Sequence, residues 1–422
     1  MDLKHYLIIW LLLLSVLPLQ AQKGKEHVPD VLPQQLVGET EEELSGAEGS
    51  EASAALSPLA IQLNQILQSP LLETAQVGLM VWDLTADSCL FRYHERWRMR
   101  PASTQKLVTA ITALDLLGAD YKLQTRLCYT GSVNAETRTL VGNLYCIGGM
   151  DSGFGLDDLK SFVNAVKALG VDTIRGNIMA DKSFKDDKLY GEGWCWDDEN
   201  PVLSPLLLNK KNDFAVRFLS QLRSAGIFVD AGTGEQVCPA TARQIRCIER
   251  PMTEILQPMM KKSDNLSAEV LFYQIAHQKG GTQAGAKSAK TVIEQVMRKA
   301  GLTPAHYYVA DGSGLSLYNY ASPEMQVLLL RYAHQHPAIY QALAASLPVA
   351  GVDGTLSARM RSGSARGNVR AKTGTVTGVS SLAGYCTAAN GHKLCFSVIC
   401  QGQGSAQDAR NLQDRICQQL CK

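Results

Sequence analysis

Behind Pro101, the apolar residues Leu107, Val108, Ile111, Leu114, Leu116 and Leu117 return at helical spacing. They predict a buried helix whose first turn carries Ser103 and Lys106 on one side. Earlier in the chain, the helical "LAIQLNQILQSPLL" precedes two strand-like runs, "VGLMVWDL" and "CLFRYHE", separated by the turn "TADS". Near the other end, "SSLAGYCTAANGHKLCFSVICQG" predicts a hairpin that turns at Asn390-Gly391, and "AQDARNLQDRICQQLCK" predicts a final amphipathic helix. Strands at both ends predict one sheet built from both termini and covered by helices.

The middle of the chain reads differently. "YKLQTRLCYTGSVNAETRTLVGNLYCIGG" predicts strand, turn and strand, "LDDLKSFVNAVKALG" a helix, "VDTIRGNIMADKSF" a further strand and "FAVRFLSQLRSAGIFVD" a return to helix. The expectation is a small α+β domain at 120–244, inserted into a domain made of 56–119 and 245–422. Residues 22–55 are acidic, rich in Gly, Ser and Pro and poor in aromatics, a linker that cannot order itself by burial. Residues 1–21 combine a basic start, an apolar run from Tyr6 to Leu14 and a small residue at Ala21. That is the pattern of a cleavable signal peptide, and the run is shorter than the ~20 residues of a bilayer span. A periplasmic or secreted mature chain without a stable membrane span is expected, a retained N-terminal anchor being the competing reading.

Composition narrows the partners. Across 422 residues, 41 basic and 40 acidic side chains leave a formal charge of +1, so nothing draws the chain to nucleic acid. Eleven cysteines lack a paired C-x-x-C framework and have few nearby histidines. Zinc therefore has little support, and disulfides and buried thiols both stay open. No metal or organic cofactor is expected.

Three short motifs carry candidate chemistry. Ser103-x-x-Lys106 puts a hydroxyl beside an amine, which acts as a base if burial keeps it neutral. Taken alone, it reads as a capping serine with a lysine facing solvent. Ser263-Asp264-Asn265 precedes a long apolar helix and, alone, reads as an N-cap. Lys372-Thr373-Gly374-Thr375 lies at a strand and, alone, reads as a strand-edge lysine with a glycine bulge. Together, in this order and in helix, loop and strand contexts, the three match the set used by β-lactamases and penicillin-binding proteins.

With "PASTQKLVTA", "GWCWDD", "MKKSDNLSAE", "DGSGLS" and "AKTGT" in hand, the chain resembles the D-alanyl-D-alanine carboxypeptidase/endopeptidase family, the class C low-molecular-mass penicillin-binding proteins. The resemblance runs from about Leu79 to about Gln401. It implies an α+β fold, with a β-lactamase/transpeptidase-like antiparallel sheet flanked by helices and a small inserted α+β domain. Peptidoglycan peptides and β-lactams are the implied partners. Ser103 would be the nucleophile and Lys106 its base, with Lys372 helping to depress the lysine. Ser263 would stand beside Lys106 and relay a proton, Asn265 would hold the substrate backbone, and Asp264 would brace the loop. Lys372, Thr373 and Thr375 would receive a carboxylate, and Gly374 would let the strand approach the substrate. The backbone amides of Ser103 and Thr375 would form the oxyanion site. Trp194, Trp196 and Asp198 resemble a block that faces a diamino-acid amine, a carboxylate matched to an ammonium beside an aromatic wall. Packing of the insertion against the catalytic domain is the competing reading of the tryptophans. Two departures stand out: the gap leaves room for one inserted domain where the family typically has two, and Leu317 stands where an arginine is common. A serine β-lactamase or esterase on the same fold, or a non-catalytic β-lactam sensor or wall-binding protein, are the alternative functions.

Overall fold

The computed structural model describes residues 57–195, 197–198, 200–278 and 283–422, so the expected signal peptide, linker and Trp196 lie outside the described residues. The first helix, α1 (Pro58–Ile66), starts where Ser57 Oγ accepts the Ala60 N–H at 3.2 Å, with Pro58 in the first turn. Strands β1 (Gln76–Asp83) and β2 (Ser88–Tyr93) then pair antiparallel. Asp83 holds their turn by accepting the N–H groups of Thr85 and Ala86 at 2.8 and 3.0 Å. A single tight turn, Ala102–Thr104, leads into α2 (Gln105–Leu117). Every residue of α2 from Gln105 to Leu114 is buried. The helix is thus enclosed around its circumference, more completely than its apolar stripe predicts.

The next segment folds on its own sheets. It runs through β3 (Lys122–Tyr129), β4 (Ser132–Asn134), β5 (Thr139–Val141), β6 (Leu144–Ile147), α3 (Leu156–Lys167), β7 (Thr173–Arg175) and β8 (Ile178–Asp181). It continues through α4 (Phe214–Ser224), β9 (Phe228–Val229), β10 (Thr233–Glu235) and β11 (Arg243–Pro251). One sheet has the order β10-β8-β6-β3-β11 and the other β4-β5-β7-β9. The strand-like runs of the sequence each break at a corner and give one strand to each sheet. Glycines make the corners possible: a Cβ on Gly142 would sit 2.0 Å from Thr130 O, and one on Gly176 2.1 Å from Gly142 O. Phe154, Phe162, Phe214 and Phe218 pack edge-on or tilted inside this segment. Strand β11 crosses the expected 244/245 boundary, because its pairing with β3 extends to Pro251 opposite Lys122.

Five helices follow, α5 (Met252–Lys261), α6 (Asn265–Gln278), α7 (Ala286–Lys299), α8 (Pro323–Gln335) and α9 (Pro337–Ser346). Then come β12 (Arg370–Val376), β13 (Val379–Thr387), β14 (Lys393–Gln401) and α10 (Ala406–Leu420). The hairpin of β13 and β14 turns at Asn390-Gly391, with Gly391 at φ +85° as a tight turn requires. The main sheet has the order β12-β13-β14-β1-β2 and is antiparallel throughout. Both of its faces are covered. Val77, Leu79 and Val81 of β1 enter a core shared with α1 and α10, while Met80 enters the larger core of α2 and α5 to α9. All eleven cysteines are unbridged. No helix among the described residues is long and apolar enough to cross a membrane.

The glycine corners give a direct check. Gly176→Ala is expected to lower stability by about 2 kcal/mol in chemical denaturation, because its Cβ meets backbone that cannot step aside. Gly404→Ala, with nothing within 4 Å, serves as the control and should leave the midpoint unchanged.

Candidate active site

The turn before α2 holds Ala102 at φ +47°, a left-handed conformation that a residue with a Cβ keeps only under constraint. It leaves Ser103 partly exposed and carries Lys106 wholly inside, at 0% exposure. A solvent-facing Lys106 is thereby excluded. Lys106 Nζ lies 2.9 Å from Ser103 Oγ, 2.7 Å from Asn265 Oδ1 and 2.8 Å from Ser313 O. The amide and carbonyl oxygens can only accept, so they take two N–H bonds. In the neutral amine the remaining position is the lone pair, and it faces the one partner with a proton to give. Burial brings the Lys106 pKa down to about 8, against the opposing pull of Asp311, Glu269 and Asp264.

Lys372 is equally enclosed. Its Nζ bonds Ser263 Oγ at 2.9 Å and Thr373 O at 2.7 Å. Burial, and then the charge of Lys106, push it well below the usual lysine range. Ser263 Oγ bonds Lys372, whereas the three hydrogen-bonding positions of Lys106 are filled by Ser103, Asn265 and Ser313. Burial is the first cause that lowers both amines, and the charge of Lys106 adds to it at Lys372.

The loop before α6 places Ser263 at φ +61° and Asp264 as a brace. Asp264 Oδ1 accepts the Ser267 N–H at 2.8 Å and its other oxygen pairs with Lys210 of the inserted segment. Beneath the Ser103 turn runs a buried polar chain. Ser397 Oγ donates to Gln326 Oε1 and Gln326 Nε2 to Thr104 Oγ1, both at 2.7 Å. Thr104 Oγ1 and Ser381 Oγ each donate to Pro101 O at 2.6 Å. Strand β12 presses on the same turn: a Cβ on Gly374 would sit 2.9 Å from Ser103 N and 2.2 Å from Ser381 Oγ. Close approach of β12 to the Ser103 backbone is thus one thing that Gly374 permits. Thr373 Oγ1 donates to Thr355 Oγ1 at 2.7 Å, and Thr375 is exposed on β12.

An antiparallel sheet, a buried lysine aimed at a serine and a second buried lysine one strand away are the geometry of an acyl-transfer site. The model of one family, described as D-Ala-D-Ala carboxypeptidase 3 (S13), matches residues 59–206 and 206–421. The chain belongs to that family. This S13 chain is 28% identical to the D-alanyl-D-alanine carboxypeptidase of Actinomadura sp. (strain R39), over 93% of this chain and 89% of that one. Its fold is similar to penicillin binding protein 4 (dacB) of Haemophilus influenzae, with a TM-score of 0.77 at 23% identity, covering 84% of this chain and 99% of that one. A second structure of that protein, complexed with a β-lactam, matches with a TM-score of 0.69 at 24% identity, over 84% of this chain and 98% of that one. The β-lactamase/transpeptidase-like α+β fold expected from the resemblance is the one found.

In the S13 chain the remaining candidates sit on an excursion of the inserted segment, closed at its base by the Leu203 N–H to Leu189 O bond of 2.8 Å. Trp194 is partly buried against the main core, and its Nε1 donates to Asp311 Oδ2 at 2.8 Å. Asp198 Oδ2 accepts the Cys195 N–H at 2.7 Å, so its carboxylate is engaged in its own turn. Several residues at the site escape sequence reasoning. Asp311 gathers the N–H groups of Gly314 and Ser316 at 2.7 and 2.8 Å, which sets the carbonyl of Ser313 on Lys106. Glu269 accepts the Gly312 N–H, and burial with the nearby Asp311 raises its carboxyl pKa to about 8. The "DGSGLS" block was a visible signal for this loop; Glu269, inside an apolar helix, and Asn200 gave none.

Lys106→Met keeps the bulk of the side chain and removes the amine. Acylation of Ser103 by a β-lactam, followed by mass spectrometry, is expected to slow at least about a hundredfold. The circular dichroism spectrum should be retained, and acylation at the wild-type rate would contradict the geometry.

Proposed function

We propose that this S13 chain is a serine-type D-Ala-D-Ala carboxypeptidase or DD-endopeptidase that opens peptidoglycan stem peptides through an acyl-enzyme on Ser103, and that β-lactams acylate the same oxygen. The observation that carries this reading is the Lys106 amine, enclosed and 2.9 Å from Ser103 Oγ with its other two positions bonded to acceptors. Neutral Lys106 takes the Ser103 proton as Oγ attacks the carbonyl of the penultimate D-alanine. Charge then develops on the carbonyl oxygen, for which the backbone N–H groups of Ser103 and Thr375 are the assigned donors.

The C–N bond breaks next, and the departing nitrogen needs a proton. Ser263 accepts from Lys372, which leaves its own O–H free to be donated to that nitrogen, and Lys372, charged beside the bound carboxylate, gives a proton back to Ser263 Oγ. Water then hydrolyses the ester: its hydroxyl goes to the acyl carbon, its proton to Lys372, and Lys106 returns the proton it took to Ser103 as the shortened peptide leaves. Lys372, with Thr373 and Thr375 beside it, receives the carboxylate of the leaving residue, and an anion there favours the charged amine. Asn265 lends the substrate backbone a partner, and Asp198 with Trp194 and Trp196 remains the assigned subsite for a side-chain amine. A division of the chain into a discontinuous catalytic domain and an insertion between the first and second motifs fits this reading, as does export to the periplasm where peptidoglycan lies.

Lys106 must be neutral to act, and its pKa of about 8 lies below the ordinary 10.5. The acylation rate is therefore low at acid pH, rises as the amine loses its proton and is half-maximal near pH 8. D-alanine release from a pentapeptide, followed from pH 6 to 10, checks this. A rate that is flat across that range, or release that persists in Ser103→Ala, would overturn the assignment.

A further inference from the structure

The excursion from Leu189 to Leu203 is tied to the catalytic body at three places. Glu192 pairs with Lys290 at 2.5 Å and accepts the Tyr308 hydroxyl at 2.6 Å. Trp194 bonds Asp311 at 2.8 Å. Asn200 makes the third tie: its Oδ1 accepts from Asn265 Nδ2 at 3.2 Å. The first two hold the loop. The third reaches the group that orients the base.

The Asn265 side chain is two-faced, an acceptor at Oδ1 and a donor at Nδ2. With Nδ2 bonded to Asn200, Oδ1 faces Lys106 at 2.7 Å. Turned by 180°, the same amide would offer N–H to Lys106. The lone pair of the neutral amine would then be taken by Asn265 instead of Ser103. With Asn200 oriented as it is, its Oδ1 makes this flip costly, because the flipped Oδ1 of Asn265 would face the oxygen of Asn200 unless both amides turned together.

We propose that Asn200 is a positioning residue of the inserted segment: through Asn265 it keeps the Lys106 lone pair aimed at Ser103. The inference rests on the serine-peptidase reading above and adds to it a dependence of the base on the excursion. Charged and titratable groups facing Lys106 are Asp264 before α6, Glu269 on α6, Asp311 in the loop that follows α7, and Lys372 on β12. None of these changes when Asn200 is replaced, so a shift in the pH profile reports on position 200.

The test uses the full chain and a fluorescent penicillin, with the acylation rate of Ser103 measured from pH 6 to 10 in Asn200→Ala and Asn200→Asp. In Asn200→Ala the limiting rate at high pH should fall about tenfold, the kinetic equivalent of one hydrogen bond, with no movement of the rising limb to higher pH. In Asn200→Asp the carboxylate still accepts from Nδ2, so the limiting rate should stay near wild type. Its added negative charge should move the rising limb to higher pH. Tyr308→Phe, which loosens the excursion at the Glu192 tie without a change of charge, should leave the position of the limb unchanged. Equal losses in Ala and Asp without a moved limb, or a wild-type limiting rate in Asn200→Ala, would overturn the proposal. If melting curves show that Asn200→Ala fails to fold, the moved limb and retained rate of Asn200→Asp decide alone. Absence of any adduct on Ser103 in the wild type would instead bring down the peptidase reading, and this inference with it.

Discussion

An amine shut away from water and bonded only to neutral atoms is the constraint on which the rest of this site depends. Lys106 meets a hydroxyl, an amide oxygen and a backbone carbonyl, and among the described residues no carboxylate bonds it directly. Desolvation disfavours its charge and outweighs the opposing pull of Asp311, Glu269 and Asp264. Asp264 and Asp311 are also bonded to backbone N–H groups, Lys210 and Trp194. Burial with the nearby Asp311 raises the Glu269 pKa to about 8. A lysine poised near the working pH is the outcome, which is where a general base is most effective.

Such an arrangement demands rigidity from several elements at once. The Ser103 turn is pinned from below by the Ser397, Gln326, Thr104 and Ser381 chain and from the side by β12 at Gly374. The left-handed Ala102 and Ser263 mark where the backbone is bent to deliver side chains rather than to relax. Buried polar chains of this kind are stabilising only when every member is satisfied, so they also define a single geometry. The inserted segment takes part, through Lys210 on Asp264, Trp194 on Asp311 and Asn200 on Asn265.

Much of this was legible in the sequence, for identifiable reasons. The flanking hairpins and terminal helix announce themselves by alternation, by Asn390-Gly391 and by amphipathic spacing. The three motifs name the reacting groups because their residue types are rare in combination. What stayed hidden is mostly partnership. Spacing does not tell whether Ser263 leans on Lys106 or Lys372, nor that Gly374 makes room for the Ser103 backbone. The paired sheets of the insertion were also hidden, because a strand that turns a corner at a glycine keeps its apolar pattern. Asn200, a single asparagine in a loop, carries no pattern at all.

The most direct measurement of the central claim is the protonation state of Lys106 itself, by nitrogen-15 NMR of the lysine side-chain amines, assigned with Lys106→Met. A signal that is lost in that variant and titrates near pH 8 in the unacylated enzyme is expected. A Lys106 amine that stays charged to above pH 10, like an exposed lysine, would contradict it.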